Sequence, residues 1–302
     1  MEDTMYKISK TDEDLKVVIP DNFSQQINQL MFELCKHSGP VTLSYLRYHQ
    51  QSDGSQRRAK ICYITAVSLG LNTNTAKLLA VTVELLHNAS LIHDDVQDKD
   101  QKRRGQDALW VKASVEEAIC LGDTLIVAAY HALSKINTPA NSHLQATVCR
   151  RVMETIRGQM DDLSPQLPLT EQSYTLIATN KAAPLLSLSV ELPALLAGEP
   201  SLAKALSNAA SSFALAYQFY DDLCDQAQDA INQEPNIVNI RIHELAGSLN
   251  ASDEDIGTAK DDIKRKILIL LDQATSSLAP LPIEATVILQ QTIKELKIRI
   301  EG

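Results

Sequence analysis

The apolar residues of this chain recur at intervals of three and four positions almost from end to end, and this spacing limits the possible fold more than any other feature. The two clearest stripes are Phe23, Ile27, Leu30, Met31 and Leu34, and then Leu78, Val81, Leu85, Ala89 and Ile92. Such spacing is typical of amphipathic helices, whereas the alternation typical of strands is nearly absent. Only 10 glycines and 11 prolines interrupt the 302 residues. The sequence therefore predicts an all-α fold of about ten helices, each roughly 12 to 28 residues long.

No segment rich in proline, glycine or serine divides the chain. We therefore expect residues 1–302 to form a single domain, with residues 1–20 loosely ordered. Long helices with apolar stripes pack as bundles, and bundles place their sites between facing helices. The expected architecture is one bundle of about ten or more helices around a central cavity.

The balance of charges argues against a nucleic-acid partner. The chain has 28 Lys and Arg against 38 Asp and Glu, a net charge of −10, which is the wrong sign for binding phosphate backbones. No apolar run is long enough for a transmembrane helix, and the charged start lacks a signal sequence. The five cysteines have no zinc-site spacing and are expected to be small buried residues in a reducing compartment, which predicts a cytoplasmic protein.

The sharpest local motif is L-I-H-D-D-V-Q-D, which contains Asp94, Asp95 and Asp98. Asp94 and Asp98 are four positions apart, so on a helix they lie on one face about 5–6 Å from each other. Two carboxylates placed this way repel each other unless a cation lies between them. Mg²⁺ is an obvious candidate, because it is usually held by one or two carboxylates and by substrate phosphates. A solvated acidic helix end explains this motif alone equally well.

A second copy of the motif favours a metal site over a solvated acidic helix end. Y-Q-F-Y-D-D-L-C-D places Asp221, Asp222 and Asp225 after another uncharged helical stretch, 127 positions beyond Asp94. If the two helices face each other, as many as six carboxylates line one cavity mouth. An acidic cage of this kind can bind a diphosphate only through metal ions.

These motifs resemble those of the trans-isoprenyl diphosphate synthases, the polyprenyl synthetase family. The resemblance covers about residues 50 to 245, and several further motifs occur in the family's order. They are E-L-L-H at 84–87, R-R-G at 103–105, G-D-x-L at 122–125, G-Q-x-x-D-L at 158–163, and Lys181. The resemblance implies a prenyltransferase that condenses an allylic diphosphate with isopentenyl diphosphate, with three Mg²⁺ ions per active site, in a homodimer.

The resemblance also assigns roles to individual positions. Asp94, Asp98 and Asp221 match the direct Mg²⁺ ligands, and Asp95, Asp222 and Asp225 match supporting carboxylates. Arg103 and Lys181 match residues that hold the allylic diphosphate, and Gln218 matches a residue near the reacting carbons. Arg58, His87 and Arg104 match positions that bind isopentenyl diphosphate. Pro184 has no N–H for the carbonyl of Asn180, and that free dipole is expected to stabilise an allylic cation.

The resemblance also bears on product length. In the family, the residue five positions before the first acidic motif forms the floor of the product pocket. Here that residue is Ala89, followed by Ser90, so the floor is expected to be open at this level. Leu85 and Leu86, about one turn deeper on the helix, are then the next barrier. A product of about C20 or longer is favoured.

Three positions depart from the family pattern. Ser55 occupies the position of the lysine in the family's G-G-K-x-x-R motif, although Arg58 is retained and Arg57 or Lys60 could compensate. Residues 226–259, where the family has lysines that cover the diphosphates, contain no lysine, and only Arg241 is permanently cationic there. Ala182 replaces the threonine that normally follows the family's lysine. All three changes affect condensation more than metal-dependent ionisation.

Two alternatives remain open on the sequence. A class I terpene cyclase would keep the metal site and ionise an allylic diphosphate without isopentenyl diphosphate. Such cyclases typically carry Asn, Ser and Glu ligands in the second motif, whereas this chain keeps aspartates. A non-catalytic partner of an active synthase is the other alternative, and the retention of all six motif aspartates and Arg103 argues against it.

Overall fold

The computed structural model describes residues 19–52, 54–165, 168–247, 251–281 and 283–301, except for the side chain of residue 284. These ranges contain twelve α-helices, a single 3₁₀ turn at Lys36–Ser38, and one short antiparallel hairpin formed by β1 (Lys102–Arg103) and β2 (Gln106–Asp107). The helices are α1 (Phe23–Cys35), α2 (Pro40–Gln50), α3 (Arg57–Ser68), α4 (Thr73–Gln97), α5 (Leu109–Lys112), α6 (Val115–Ser134), α7 (Asn141–Leu163), α8 (Glu171–Leu196), α9 (Pro200–Asn232), α10 (Ile237–Ala246), α11 (Asp253–Leu278) and α12 (Ile283–Glu301).

The helix starts follow from local sequence chemistry. The side chains of Asn72 and Ser114 accept hydrogen bonds from the first-turn backbone of α4 and α6. Thr170 and Ser252 go further and form reciprocal capping boxes at the starts of α8 and α11. Each cap satisfies backbone N–H groups that have no partner within the helix, so the chain enters each of these helices at a fixed residue.

Helix α8 occupies the centre of the bundle. From Ala183 to Ala194 every one of its residues is buried, so it has no solvent-facing side in that stretch. It packs mainly against α7 and α9, and it also contacts α3 and α4, while α6 covers the other side of α4. A helix that is apolar all round belongs in the core of a large domain. This arrangement places α8 between the helix that carries the first acidic motif, α4, and the one that carries the second, α9.

An ion-paired cluster joins α7, α8 and α9 at the end of α8 away from the acidic motifs. Arg151 Nε donates to Glu191 Oε2 at 2.7 Å, and its Nη2 donates to Ser207 Oγ at 2.6 Å. Glu191 is 8% exposed, so breaking the pair would leave a buried charge uncompensated. The cluster therefore fixes the relative position of the three helices that support the site.

The predicted all-α class is confirmed, and both predicted apolar stripes lie on buried faces of α1 and α4. The predicted helix lengths were too uniform. Helix α9 runs for 33 residues and α5 for only four. The expectation of loose order at residues 1–20 falls, for residues 1–18, outside the described residues.

The expectation that all five cysteines are buried was wrong. Cys35 and Cys62 are buried thiols, whereas Cys120, Cys149 and Cys224 are exposed on the outer faces of their helices. Helical spacing fixes which residues share a face, but a small residue of intermediate polarity does not by itself show which face is buried. Within the described ranges, no helix combines the length and apolar character needed to cross a membrane.

Candidate active site

The first acidic motif lies at the carboxyl end of α4. Asp98 is the residue that ends the helix, and its backbone N–H donates to the carbonyl of Asp94 at 2.8 Å. Burial raises the pKa of Asp94 to about 6, the negative charge of Asp98 adds to the rise, and the ammonium of Lys181 opposes it. Burial also raises the pKa of Asp98. The two outer aspartates thus form a partly buried acidic pair with an incomplete complement of positive charge.

The middle aspartate of this motif has a different environment. Asp95 is only 1% exposed, and one of its oxygens accepts hydrogen bonds from two nitrogens of Arg103, with a distance of 2.7 Å to Nε. Arg103 is the last residue of β1. The following residues, Arg104 and Gly105, both have positive φ angles, as a two-residue type I′ hairpin turn requires. The R-R-G motif is therefore a tight turn that holds Arg103 against α4.

The second acidic motif lies on α9. Burial raises the pKa of Asp221 to about 7, and the neighbouring charges of Asp225 and Asp222 contribute further. Asp221 is half-buried and Asp225 is exposed, so both can reach solvent or a ligand. As in the first motif, the outer aspartates carry the accessible charge.

Asp222, the middle aspartate of the second motif, is 4% exposed and joins three helices. Its carboxylate accepts hydrogen bonds from the hydroxyl of Tyr174 at 2.6 Å, from Gln218 Nε2 at 3.0 Å and from the backbone N–H of Ile237 at 3.1 Å. Asn236 completes the junction, because its amide donates to the carbonyl of Asp222 at 2.7 Å. Asp222 therefore anchors α8 and the start of α10 to α9.

Lys181 on α8 lies beside the first motif. Its Nζ donates to Asp162 Oδ2 at 2.6 Å and is 3.8 Å from Asp98 Oδ2. Burial alone would lower the pKa of Lys181, but the charges of Asp162, Asp98 and Asp94 outweigh burial and raise it, so the side chain remains an ammonium. A Cβ on Gly158 would lie 2.5 Å from the backbone nitrogen of Lys181, so only glycine allows α7 to approach α8 this closely.

The two motifs are linked through one face of α8. Lys181 contacts the first motif, and Tyr174, seven positions earlier, contacts the second. Residues seven apart lie on the same side of a helix, about 10 Å from each other along its axis. One side of α8 thus carries contacts to both acidic motifs.

A separate cluster surrounds Arg58 at the start of α3. Arg58 Nη1 donates to His87 Nε2 at 3.0 Å. Burial lowers the pKa of His87 well below its usual value, and the neighbouring arginines lower it further, so His87 is a neutral acceptor. Arg104 donates from Nη1 to the carbonyl of Ser52 at 3.2 Å, and it occupies the space that a Cβ on Gly54 would need. The three positions assigned to isopentenyl diphosphate therefore lie on α3, α4 and the hairpin.

Several buried polar atoms in this cluster have no hydrogen-bond partner among the residues that the structure describes. They are Gln56 Oε1, Arg57 Nε, Arg58 Nε and Glu84 Oε2. Buried polar groups are normally paired, and each such exception needs an explanation such as an absent ligand or water. Two of the four are guanidinium nitrogens, which are suited to binding phosphate oxygens. The cluster has the donors of an anion site.

The residues assigned to product length divide into two environments. Ala89, Leu85 and Leu86 are 1%, 0% and 3% exposed and belong to the packed core. Ser90 is half-buried, and its hydroxyl donates to the carbonyl of His87 at 2.8 Å. It lies on the side of α4 that carries His87 and Asp94, because these residues are three and four positions away. A larger side chain at residue 90 would therefore approach a ligand held at Asp94 sooner than one at residue 89.

Sequence reasoning gave no individual role to several residues that support the site. Asp162 holds Lys181, Gln159 Nε2 approaches Asp98 Oδ1 at 3.5 Å, and Tyr174 holds Asp222. Asp162 and Gln159 belong to the G-Q-x-x-D-L motif, in which they stand four and one positions after Gly158, and that motif was the available signal. Tyr174 is an isolated residue, and no spacing in the sequence points to it.

In residues 226–247 and 251–259, the described part of the segment where the family has lysines, Arg241 is the one permanently cationic side chain. Arg241 donates from Nε to Asp262 Oδ2 at 2.9 Å and from Nη1 to Glu244 Oε2 at 3.1 Å, so its charge is already balanced. Instead, α9 continues to Asn232, and α10 follows a short connection. Residues 248–250 lie outside the described residues.

Among the residues that the structure describes, no three His, Cys, Asp or Glu side chains converge closely enough to bind a metal ion by themselves. Mg²⁺ commonly takes one or two carboxylates from a protein and completes its coordination with water and substrate phosphates. The acidic pairs Asp94 with Asp98 and Asp221 with Asp225 would supply these one or two carboxylate ligands.

Comparison with known proteins finds one family. The profile of the family described as "Polyprenyl synthetase" matches residues 40–237. The chain is 31% identical over 205 residues to a protein named geranylgeranyl pyrophosphate synthase from Geoglobus acetivorans, an alignment that spans 66% of this chain and 64% of that protein. It is 30% identical over 207 residues to a (2E,6E)-farnesyl diphosphate synthase of Mycobacterium bovis, across 65% of this chain and 58% of that protein. The matched segment thus spans less than two thirds of the length of each of these two relatives.

The fold is also similar to that of a solved structure. Superposition on the geranylgeranyl pyrophosphate synthetase from the archaeon Geoglobus acetivorans gives a TM-score of 0.80 at 25% identity, covering 91% of this chain and 97% of that one. The structural similarity therefore extends well beyond the segment matched in sequence, into the carboxyl-terminal helices.

Proposed function

Because the chain belongs to the polyprenyl synthetase family, we propose that it is a trans-prenyltransferase that joins an allylic diphosphate to isopentenyl diphosphate. The observation that carries this proposal is the placement of both acidic motifs along the face of α8 that bears Lys181 and Tyr174. The proposal places the protein in the cytoplasm. An odd number of cysteines, all present as free thiols, supports a reducing compartment.

The residues present fit Mg²⁺. Their donors are carboxylate oxygens, and burial together with neighbouring negative charge raises the pKa values of Asp94 and Asp221, so a bound cation would offset the cost of ionising them. Asp94, Asp98 and Asp221 would hold the ions, with Asp225 beside them; the family resemblance implies three ions per site. Bound Mg²⁺ supplies charge neutralisation for the departing diphosphate. Asp95 and Asp222 would act through the residues that they hold.

The protein's own groups account for the rest of the chemistry. Lys181 and Arg103 lie beside the first motif and would bind the diphosphate of the allylic substrate. Arg58, His87 and Arg104 would bind isopentenyl diphosphate. Gln218 is oriented by Asp222, near the face of α8 where the substrates would meet. The carbonyl of Asn180, which has no N–H partner at Pro184, packs against Gly158, and its dipole would stabilise positive charge close to Lys181.

A product of about C20 or longer is proposed. The support is Ser90, a small half-buried side chain on the same side of α4 as Asp94, whereas Ala89 is packed in the core. Because Ser90 lies on the side of α4 that carries Asp94, residue 90 is where we expect this chain's product length to be decided.

A homodimer is also proposed, and the outer face of α7 supports it. Ala146, Cys149, Met153, Ile156, Met160 and Leu163 recur at alternating intervals of three and four residues along this helix. The last four are 63%, 55%, 59% and 42% exposed. Monomeric proteins rarely expose an apolar stripe of this length, and two-fold pairing of identical stripes is the commonest way to cover one.

The proposed activity can be tested directly. Purified protein is incubated with Mg²⁺, radiolabelled isopentenyl diphosphate, and dimethylallyl, geranyl or farnesyl diphosphate in turn, and the products are separated by chromatography before and after dephosphorylation. We expect extended prenyl diphosphates. Hydrocarbon products would instead identify a terpene cyclase, and the absence of any product with all three allylic substrates would contradict prenyl transfer.

A further inference from the structure

A chain of buried hydrogen bonds lies behind Arg58. His49 on α2 is 7% exposed, and its Nε2 donates to Asn88 Oδ1 at 2.9 Å. The amide nitrogen of Asn88 donates to both the carbonyl and Oε1 of Glu84, at 2.8 and 3.1 Å. The oxygen of an amide can only accept, so the bond from His49 fixes which side of Asn88 faces Glu84. The chain therefore holds one oxygen of the Glu84 carboxylate in a defined position.

Glu84 and Arg58 are close, but their side chains do not hydrogen-bond to each other in the structure. Their charges interact, yet within the described ranges neither Glu84 Oε2 nor Arg58 Nε, both buried, has a hydrogen-bond partner. A freely rotating carboxylate in this position would be expected to form the paired hydrogen bonds that guanidinium and carboxylate groups favour. Among the described residues, the Glu84 carboxylate instead accepts hydrogen bonds from Asn88 and from the backbone of Ala59, and Arg58 donates to the side chain of His87.

We infer that Asn88, oriented by His49, is a positioning residue that keeps Glu84 from closing a paired ion bridge with Arg58, so that the guanidinium keeps an open donor for a diphosphate. This inference rests on the proposed function, because it treats Arg58 as a substrate-binding group. Glu84 then offsets the cost of burying the Arg58 charge without occupying its donors.

The consequence for binding is a competition between two anions. If Glu84 is released from Asn88, its carboxylate competes with the diphosphate for the same guanidinium nitrogens. A carboxylate already inside the protein has the advantage of proximity, so the substrate must displace it. Removing the negative charge of Glu84 should abolish this competition even when Asn88 is absent.

The test is a double-mutant cycle of Asn88→Ala and Glu84→Gln. Binding of isopentenyl diphosphate and of inorganic diphosphate is measured by calorimetry in EDTA, so that no metal-dependent binding at the aspartates contributes. We expect Asn88→Ala to weaken both affinities by about 10-fold, and addition of Glu84→Gln to restore them to within about threefold of the Glu84→Gln single variant. Thr82→Ala, a buried hydroxyl on the same helix that bonds only its own backbone, serves as the matched control.

His49→Phe provides a second route if Asn88→Ala does not fold, because it frees the Asn88 amide to turn while filling the same space. It should weaken both affinities in the same direction, with the same rescue by Glu84→Gln. A double variant that binds no better than Asn88→Ala would overturn the inference, since it would show a structural role only. Failure of the unsubstituted protein to bind either probe would also overturn it, whereas binding without condensation would contradict only the proposed function.

Discussion

Each acidic motif divides its aspartates between two tasks. Asp95 and Asp222 are buried and hold other parts of the site in place, Arg103 in one case and Tyr174 with α10 in the other. Asp94 and Asp221 keep accessible carboxylates whose pKa values are raised. The spacing of the motif in sequence does not reveal this division, because burial depends on which neighbouring helix covers each position.

The first prediction concerns the two accessible aspartates. Asp94→Ala and Asp221→Ala should each lower turnover by on the order of 100-fold or more, because each loses a ligand that neutralises the departing diphosphate. Helical content measured by circular dichroism should be unchanged. Asp161→Ala, a partly exposed aspartate on α7, is the control and should retain normal turnover. Near-normal rates for both variants at saturating Mg²⁺ would contradict the assignment of these aspartates as metal ligands.

The second prediction concerns Ser55, which is exposed next to the Arg58 cluster. A lysine ammonium binds phosphate well, and hydrogen bonds to charged groups contribute roughly 1.5–3 kcal/mol. Ser55→Lys should therefore lower the KM for isopentenyl diphosphate by about 10- to 100-fold and leave the KM for the allylic substrate nearly unchanged. Ser55→Met adds similar length without charge and should not reproduce the effect. If the KM stays constant, Arg57 already supplies the missing charge through its unpaired Nε.

At the scale of elements, the sequence predicted helices well and short strands poorly. The apolar stripe of α4 was predicted, because one helical face repeats the same signal over many residues. The hairpin at 102–107 has only two residues per strand, so no alternation could reveal it. Its one signal was the glycine at 105, since a positive φ there suits a tight turn. The role of Arg103 could thus be assigned by resemblance to the family, but its hydrogen bond to Asp95 could not be predicted.

The third prediction tests where α4 limits the product. Ser90→Phe should shift the products towards C15 while the total condensation rate is largely kept, because residue 90 is half-buried on the same side of the helix as Asp94. Ala89→Phe adds the same volume within the packed core and should lower the melting temperature more than Ser90→Phe does. Chromatography of dephosphorylated products and thermal melts distinguish the two positions. An unchanged distribution in Ser90→Phe would show that the product does not pass residue 90.

At the scale of the whole molecule, the fourth prediction is that the exposed apolar stripe of α7 forms the dimer interface. Met153→Glu places a charge near the middle of the stripe, and two-fold symmetry would place a second one in the same interface. Light scattering should show a dimer for the unsubstituted protein and mostly monomer for Met153→Glu. Lys204→Glu, an exposed position on α9 and not on α7, is the control and should remain dimeric. A dimer that survives Met153→Glu would exclude this face.

The fifth prediction follows from the acidic character of the site. The folded-state pKa values of Asp94 and Asp221, about 6 and about 7, lie above the ordinary 3.8. The folded state therefore binds more protons than the unfolded state between about pH 4 and 7, and these groups reduce stability as pH rises through that window. Asp221→Asn should raise the free energy of unfolding at pH 8 by about 1 kcal/mol, after allowance for solvent screening, and leave it nearly unchanged at pH 4. Urea titrations at both pH values in EDTA measure the difference, and an equal effect at both pH values would contradict the prediction.

The hydrogen bond from the backbone N–H of Ile237 to Asp222 makes this amide a probe of local opening at the second motif. That amide hydrogen exchanges with solvent deuterium only when its hydrogen bond to the Asp222 carboxylate breaks or the start of α10 unfolds locally. Its exchange rate therefore follows the local opening of the junction among α8, α9 and α10, in a protein with no substrate bound. A slow rate would show that this side of the site is preorganised before any ligand arrives.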